Sequence, residues 1–364
     1  MTVGPTLWRY IARQFLGWCG GVFVAMVGVA FVIDLVELLR RSGTKADATV
    51  AILLQMAVFK LPYLAQEILP FAMLFGSMLA FWRLTRSSEL LVARAAGVSA
   101  WQFLAPAVLV AVLIGVFAVT VFNPVASILR NRYDGLESRV LKGRTSDLAL
   151  SRTGLWLRQN DEDGPTIIHA LRVDADDGRL LDVTVLQFLD DNRLVRRIDA
   201  DSALLEDQRW RLMGAWSWSP GQQSTPIGEY VLPTTMTARG LQDSFAAPET
   251  ISFWELPGFI SLLETAGFSA HRHRLYWHSL LAQPLLLGAL VLIAATFALR
   301  PTRRGGTTWL IMGGVLTGFL LHFLSDVVFA LGLASNIPIA LAAWTPAGVC
   351  LLIGASILLH AEDG

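Results

Sequence analysis

The chain has 364 residues, 54% hydrophobic and 16% charged, with 29 Lys and Arg balanced by 29 Asp and Glu. A mean hydropathy of +0.52 sets it among membrane proteins rather than soluble domains, and zero net charge excludes binding of nucleic acid through a general basic field. The two cysteines, Cys19 and Cys350, each lie inside a long apolar run and support neither a disulfide framework nor a thiolate metal site.

Runs of about 20 mostly apolar residues mark bilayer-crossing helices. The first extends from about Phe15 to Val36. It is too long, and lacks the small-residue cleavage pattern, for a removable signal peptide, so it reads as a retained anchor. Asp34, Glu37, Arg40 and Arg41 close it, and Lys45 follows. The second, from about Ala51 to Phe81, is over-long and contains Lys60, Pro62, Glu67 and Pro70. That pattern predicts a helix entering along the interface and kinking at proline. A connector helix over about residues 84–97 comes next: Ser87 or Ser88 can cap it, Glu89 suits its first turn, and Gly97 can end it. The third span runs from about Ala105 to Phe122, with Arg130 and Arg132 at its exit.

From roughly Tyr133 to Tyr276 the composition is that of a soluble domain. Period-2 alternation appears at Gly154 to Arg158, Thr166 to Ala170, Asp182 to Phe188, Leu194 to Asp199 and Arg209 to Leu212, separated by Asp, Asn and Gly clusters. Short strands so spaced predict an all-β sandwich, jelly roll or open barrel. Val183, Val185 and, after a bulge, Phe188 are expected to face an apolar interior, and Trp156 is expected to meet lipid with them. Pro248 to Gly267 predicts a short return helix. Three further spans follow, Leu280 to Leu299, Trp309 to Leu331 and Ile339 to Leu359. The expected fold class is an α-helical membrane protein with six transmembrane helices and an inserted all-β domain, of sandwich, jellyroll-like or open-barrel form. Its expected parts are residues 1–132, 133–270 and 271–364.

Basic residues beside the spans set the orientation. Arg9 and Arg13, then Arg83, Arg86 and Arg94, then Arg300, Arg303 and Arg304 share one face if both termini are cytoplasmic. The β domain is then extracytoplasmic.

Against that bias, Arg40, Arg41, Lys45, Arg130 and Arg132, with Arg272 and Arg274, lie at the outer ends of spans. Snorkelling and a Glu37/Arg41 pair at i,i+4 account for such residues singly. As a set they match a multiply anionic lipid headgroup, because Arg forks suit phosphate. The connector holding Ser88, Glu89 and Arg94 is either an ordinary capped helix or a coupling helix that offers Glu89 to a cation on a cytosolic ATPase. His322 and Asp326, four apart, share a helix face inside a span and are functional candidates, although Asp326 is near the outer end. His271 and His273 lack the carboxylate or thiolate company of a metal site.

The only lysines are Lys45, Lys60 and Lys142, and none sits in a phosphate-binding G-x-x-x-x-G-K-[ST] loop. The chain alone cannot hydrolyse ATP, and no cofactor is expected on it. No G-x-S-x-G, H-E-x-x-H or paired-Cys motif supports a membrane hydrolase.

Several stretches together resemble a known family. They are Arg9-Tyr10-Ile11, Phe31 through Leu38, Leu69-Pro70, Arg86-Ser87-Ser88-Glu89-Leu90 with Ala96-Gly97-Val98-Ser99, the Trp156 and Trp210 strands, Gln283-Pro284, and Leu341-Ala342-Ala343-Trp344-Thr345-Pro346. With the six spans and the insertion, they are similar to the LptF/LptG lipopolysaccharide export permeases, closer to the LptG branch, over nearly the whole chain. The resemblance implies an ABC transporter in the inner membrane: a heterodimer with an LptF-like permease, a pair of LptB-like ATPases that bind the ATP, and LptC-like and LptA-like periplasmic bridge proteins. It also implies that the insertion between spans three and four is a jellyroll-like periplasmic domain, with lateral gates for lipopolysaccharide at spans one and five, lipid-phosphate contacts at Arg40 and Arg41, and ATPase engagement by Glu89. Asp34 departs from relatives that have a basic residue there. The alternative is an ABC-type mechanotransmission protein that moves a periplasmic domain without carrying lipid.

Overall fold

The apolar runs form helices that outlast their hydrophobic stretches, because the Leu-, Arg- and Glu-rich flanks are themselves good helix formers. A computed structural model describes residues 5–43, 49–142, 148–151, 154–161, 164–173, 179–189, 193–206, 208–234, 247–265, 269–298 and 306–363. Helix α1 covers Pro5–Ser42 and α2 covers Val50–Arg86. At 38 residues, α1 is about 57 Å long, well beyond the ~30 Å hydrocarbon core. Helix α2 runs unbroken through Pro62 and Pro70. The expected over-long helix is therefore one continuous element, since each proline removes one donor and leaves the rest of the ladder intact.

The short helix α3, Glu89–Ala95, precedes α4, Ala100–Phe117. Ser99 and Gln102 form a reciprocal capping box at the start of α4, with the Gln102 N–H donating to Ser99 Oγ at 3.2 Å. Helix α4 passes through a π-helical segment, Ala118–Phe122, into α5, Asn123–Glu137, and a second π segment, Ser138–Lys142. Arg130 and Arg132 therefore lie on a continuing helix. After the β domain come α6, Leu256–Thr265, then α7, His271–Ala298, α8, Gly306–Leu333, and α9, Ile339–Asp363.

Among the described residues, six helices are long and apolar enough to cross a bilayer. With Ser252–Trp254 they make one unit, residues 1–133, 252–254 and 274–364. Its core joins Phe15, Met78, Phe81, Leu104, Leu287 and Leu290. Two glycines allow backbone contact: a Cβ on Gly76 would stand 2.5 Å from Cys19 Cα, and one on Gly115 would stand 2.5 Å from Pro284 Cα. The apolar window of α7 is 72% buried, whereas that of α8 is 22% and that of α1 only 6% buried. Helices α1 and α8 thus present most of their apolar surface away from this chain.

The second unit, residues 134–251 and 255–273, has seven strands among its described residues. They are β1 Leu148–Ser151, β2 Gly154–Asp161, β3 Gly164–Val173, β4 Leu180–Phe188, β5 Leu194–Glu206, β6 Arg209–Trp218 and β7 Thr225–Pro233. Each pairs antiparallel with the next in a single sheet of order β1 to β7. One face collects Leu155, Leu157, Ile168, Val183, Val185, Ile198 and Trp210. Val183 and Val185 point inward as expected, and the pairing shifts register between Gln187 and Phe188. Trp156 does not: with Leu155 and Leu157 both buried, alternation turns it to the opposite face, where it stacks on its cross-strand partner His169 at 4.1 Å. Its ring therefore faces away from that apolar interior. The return segment is a 3-10 turn, Pro248–Thr250, followed by α6.

Candidate functional site

Only six residues of α1 are buried, Ile11, Phe15, Cys19, Asp34, Leu38 and Ser42. Their spacing in fours puts each group on one stripe. Asp34 is the one charged member, and its Oδ1 accepts a hydrogen bond from Lys60 Nζ of α2. The other oxygen, Oδ2, is buried with no partner among the described residues. Lys60 also lies 5.5 Å from the ring centroid of Tyr133 on α5. Arg130 lies 5.2 Å from the same ring and 4.7 Å from that of Tyr63, whose hydroxyl donates to Glu67 Oε1 at 2.5 Å. Two cations thus share one aromatic ring, within the range where its quadrupole attracts them. The anomaly of an acidic residue at position 34 is resolved locally, because Lys60 supplies the compensating charge from α2.

Six and seven residues beyond Asp34, about 9 to 10 Å further along the axis, Arg40 and Arg41 both engage Glu37. Arg40 donates from Nε and Nη2 at 2.9 and 3.0 Å, and Arg41 from Nε at 2.7 Å. Two guanidinium groups against one carboxylate leave this helix end positive. Their side chains stay largely exposed, at 76% and 56%, so both remain within reach of an outside anion. Arg132 is exposed and stands apart from the Tyr133 cluster, since two residues along a helix turn it to another face. Lys45 lies outside the described residues, as do Arg300, Arg303 and Arg304. Arg272 sits 3.8 Å from Glu249.

Exposed apolar side chains cover the free faces of both gate candidates, with Val29, Val32 and Ile33 on α1 and Leu316, Phe319 and Phe323 on α8. On α8, His322 Nε2 approaches Asp326 Oδ2 at 3.4 Å, with both side chains more than half exposed. They form a surface i,i+4 pair. An apolar cavity of about 250 Å³ lies between α1, α2 and α4 with its π segment, lined by Leu16, Phe23, Leu69, Met73, Phe117 and Phe122 among others. No cluster of three His, Cys, Asp or Glu suited to a metal occurs among the described residues.

Helix α3 anchors through Leu90 and Ala93, both part of the helical core. Neither serine caps it as expected. Ser88 occupies the cap position at φ 59° and makes no side-chain cap bond, while Ser87 Oγ donates to the Glu89 carboxylate at 2.8 Å. A left-handed residue aims its side chain away from the first-turn N–H groups. The other end matches expectation: Gly97, at φ +83°, donates to Arg94 O at 2.9 Å and Val98 to Ala93 O at 3.1 Å. This is the double closure that only a residue tolerant of positive φ permits. Arg94 is exposed on α3.

Sequence reasoning passed over Lys60, Tyr63, Tyr133, Gln66 and Asn123 as site residues. For Lys60 a signal existed, an ammonium inside an apolar span.

Residues 9–360 match the family described as "Lipopolysaccharide export system permease LptF/LptG". The chain is 23% identical over 358 residues to the "Lipopolysaccharide export system permease protein LptG" of Haemophilus influenzae, covering 94% of each chain. It is 23% identical over 359 residues to the protein of the same name from Escherichia coli K12, covering 97% of each.

Proposed function

The chain belongs to the LptF/LptG family of lipopolysaccharide export permeases, and from that premise we propose that it is one half of an inner-membrane ABC permease that extracts lipopolysaccharide and delivers it to a periplasmic bridge. Supporting this reading is one juxtaposition: α1 leaves its apolar face unburied and ends in Arg40 and Arg41. Such a helix suits a glycolipid whose acyl chains lie along the bilayer and whose phosphates lie at its edge. The α1 and α8 faces are the lateral gates, closed by an LptF-like partner.

Both termini are cytoplasmic in this proposal, and the β unit is periplasmic, where LptC-like and LptA-like proteins receive the lipid. Each acyl methylene is worth about 0.8 kcal/mol inside the bilayer, so departure must be driven. An LptB-like ATPase dimer supplies the drive through α3. Arg40, Arg41, Lys45, Arg130 and Arg132 meet the headgroup, and Ser88, Glu89 and Arg94 form the ATPase-facing patch.

Reversing both charges, Arg40→Glu with Arg41→Glu, is expected to lower lipid release several-fold while ATP turnover stays near normal, because the change is on the lipid side and leaves Glu37 without either partner. Release from liposomes per ATP hydrolysed measures it. Undiminished release by the double variant would remove these residues from the lipid path. Co-purification of the complex with mass spectrometry of its chains and bound lipid tests the wider reading.

A further inference from the structure

Ser252, Phe253 and Trp254 are part of the helical unit, whereas Ile251 before them and Glu255 after them are part of the β unit. A specific irregularity of the third span holds them. Pro124 has no N–H, so the carbonyl of Thr120 four residues earlier lacks its α-helical donor. The helix widens here into the π segment Ala118–Phe122, and the Asn123 N–H reaches back to Ala118 O. Into this place the indole Nε1–H of Trp254 donates, to Thr120 O at 3.0 Å.

Asn123 adds the second fastening. Its side chain is buried, at 1% exposure, and uses both ends of the amide: Oδ1 accepts the Phe253 N–H at 2.8 Å, and Nδ2 donates to Gln66 Oε1 of α2 at 3.3 Å. Phe253 lies nearly parallel to Trp277 of α7, with 6.4 Å between ring centroids, and edge-on to Trp254 at 5.1 Å. The buried amide therefore ties α2 to the three residues that interrupt the β unit. The far end of α2 leads directly to α3.

We propose that Asn123 is the joint that passes movement of α2 to the β unit, with Trp254 as its second attachment, so that a stroke received at α3 reaches the lipid-carrying sheet. The proposal rests on the ATP-driven reading above. A helix held to Asn123 at mid-length through Gln66 and joined to α3 at its end carries both contacts when it moves, and a planar amide bonded at both ends constrains direction as well as distance. Asn123 is a positioning residue that touches neither lipid nor ATP.

The test uses the assembled complex in nanodiscs, spin-labelled at Val58→Cys on α2 and Arg196→Cys on β5. Cys19 and Cys350 are buried and stay in place. Label-to-label distances are compared with and without ATP and vanadate for the otherwise native chain, for Asn123→Leu and for Trp254→Phe, which keeps the stacked ring and loses the indole donor. Nucleotide is expected to shift the distances in the native chain, and both variants are expected to lose most of that shift while ATPase retention and turnover hold. A full shift in both variants, or no shift in the native chain, overturns the joint. If Asn123→Leu does not assemble, Trp254→Phe decides: a lost shift supports the joint and a full shift overturns it. Lipid release measured on the same samples separates the two readings, since a native shift without released lipopolysaccharide defeats the transport reading and leaves the joint supported.

Discussion

Glu89→Ala or Glu89→Lys is expected to strip the ATPase from the purified membrane subunits. Helix α3 is fixed to the helical core through Leu90 and Ala93 and closed by Gly97, so a push on it moves the bundle instead of bending a loop. Glu89 is half-buried at its start, with one carboxylate oxygen held by Ser87 Oγ at 2.8 Å. Pairing with an Arg or Lys in a groove of the ATPase would bury a charged pair, and removal of one member of such a pair costs about 3 to 5 kcal/mol. That is a loss of at least about 100-fold in retention. A carboxylate that merely complements the helix end contributes about 0.3 to 1 kcal/mol, and the complex would then stay assembled. Quantifying ATPase bound per membrane subunit, and lipid released per ATP, separates the two. Full retention with unchanged release would leave Glu89 as a structural residue and move the coupling contact elsewhere on the chain.

Lys60→Met is expected to be the most damaging single change to the stability of the α1–α2 pair. Its ammonium is bonded to Asp34, whose side chain is only 9% exposed. Among the described residues, loss of the lysine leaves a buried carboxylate with neither oxygen partnered, because Oδ2 has no donor there already. Breaking a buried pair from one side costs about 3 to 5 kcal/mol, whereas replacing both members with apolar groups of similar volume is near neutral or stabilising. Asp34→Leu combined with Lys60→Met should therefore restore most of what the single variant loses. Thermal midpoints in nanodiscs at one fixed scan rate give the comparison, since membrane proteins unfold irreversibly. A double variant no more stable than Lys60→Met would show that the charges are held by something other than each other.

Residues with a local signature were legible before the fold. The six spans followed from apolar run length, and β2 to β6 from alternation, including the bulge ahead of Phe188, whereas β1 and β7 were not read from that pattern. The i,i+4 meeting of Glu37 with Arg41 was readable as well. Contacts that depend on how helices face one another were not. Asp34 and Lys60 are 26 residues apart, and no sequence rule fixes the rotation of α1 against α2. Trp156 was misassigned because Leu155-Trp156-Leu157 is apolar on both parities, so alternation alone cannot say which face is inside. Ser88 failed as a cap because the turn between α2 and α3 is left-handed at that residue, a backbone choice its identity does not announce. The Trp254 attachment had a cue in Asn123-Pro124, a proline that frees a carbonyl inside a long helix. Its occupant, 134 residues later, emerges only from the fold.

If this chain moves a glycolipid and not only a domain, a periplasmic acceptor must receive lipopolysaccharide when ATP is hydrolysed. The direct measurement places the purified complex in liposomes containing lipopolysaccharide, adds a soluble periplasmic acceptor carrying a photo-crosslinker, and counts lipopolysaccharide adducts on the acceptor with ATP and without it. ATP-dependent adducts that fall when Arg40 and Arg41 are reversed are the predicted result. Steady ATP hydrolysis with no adduct above the ATP-free level would contradict the claim and leave a machine that moves its β unit without cargo.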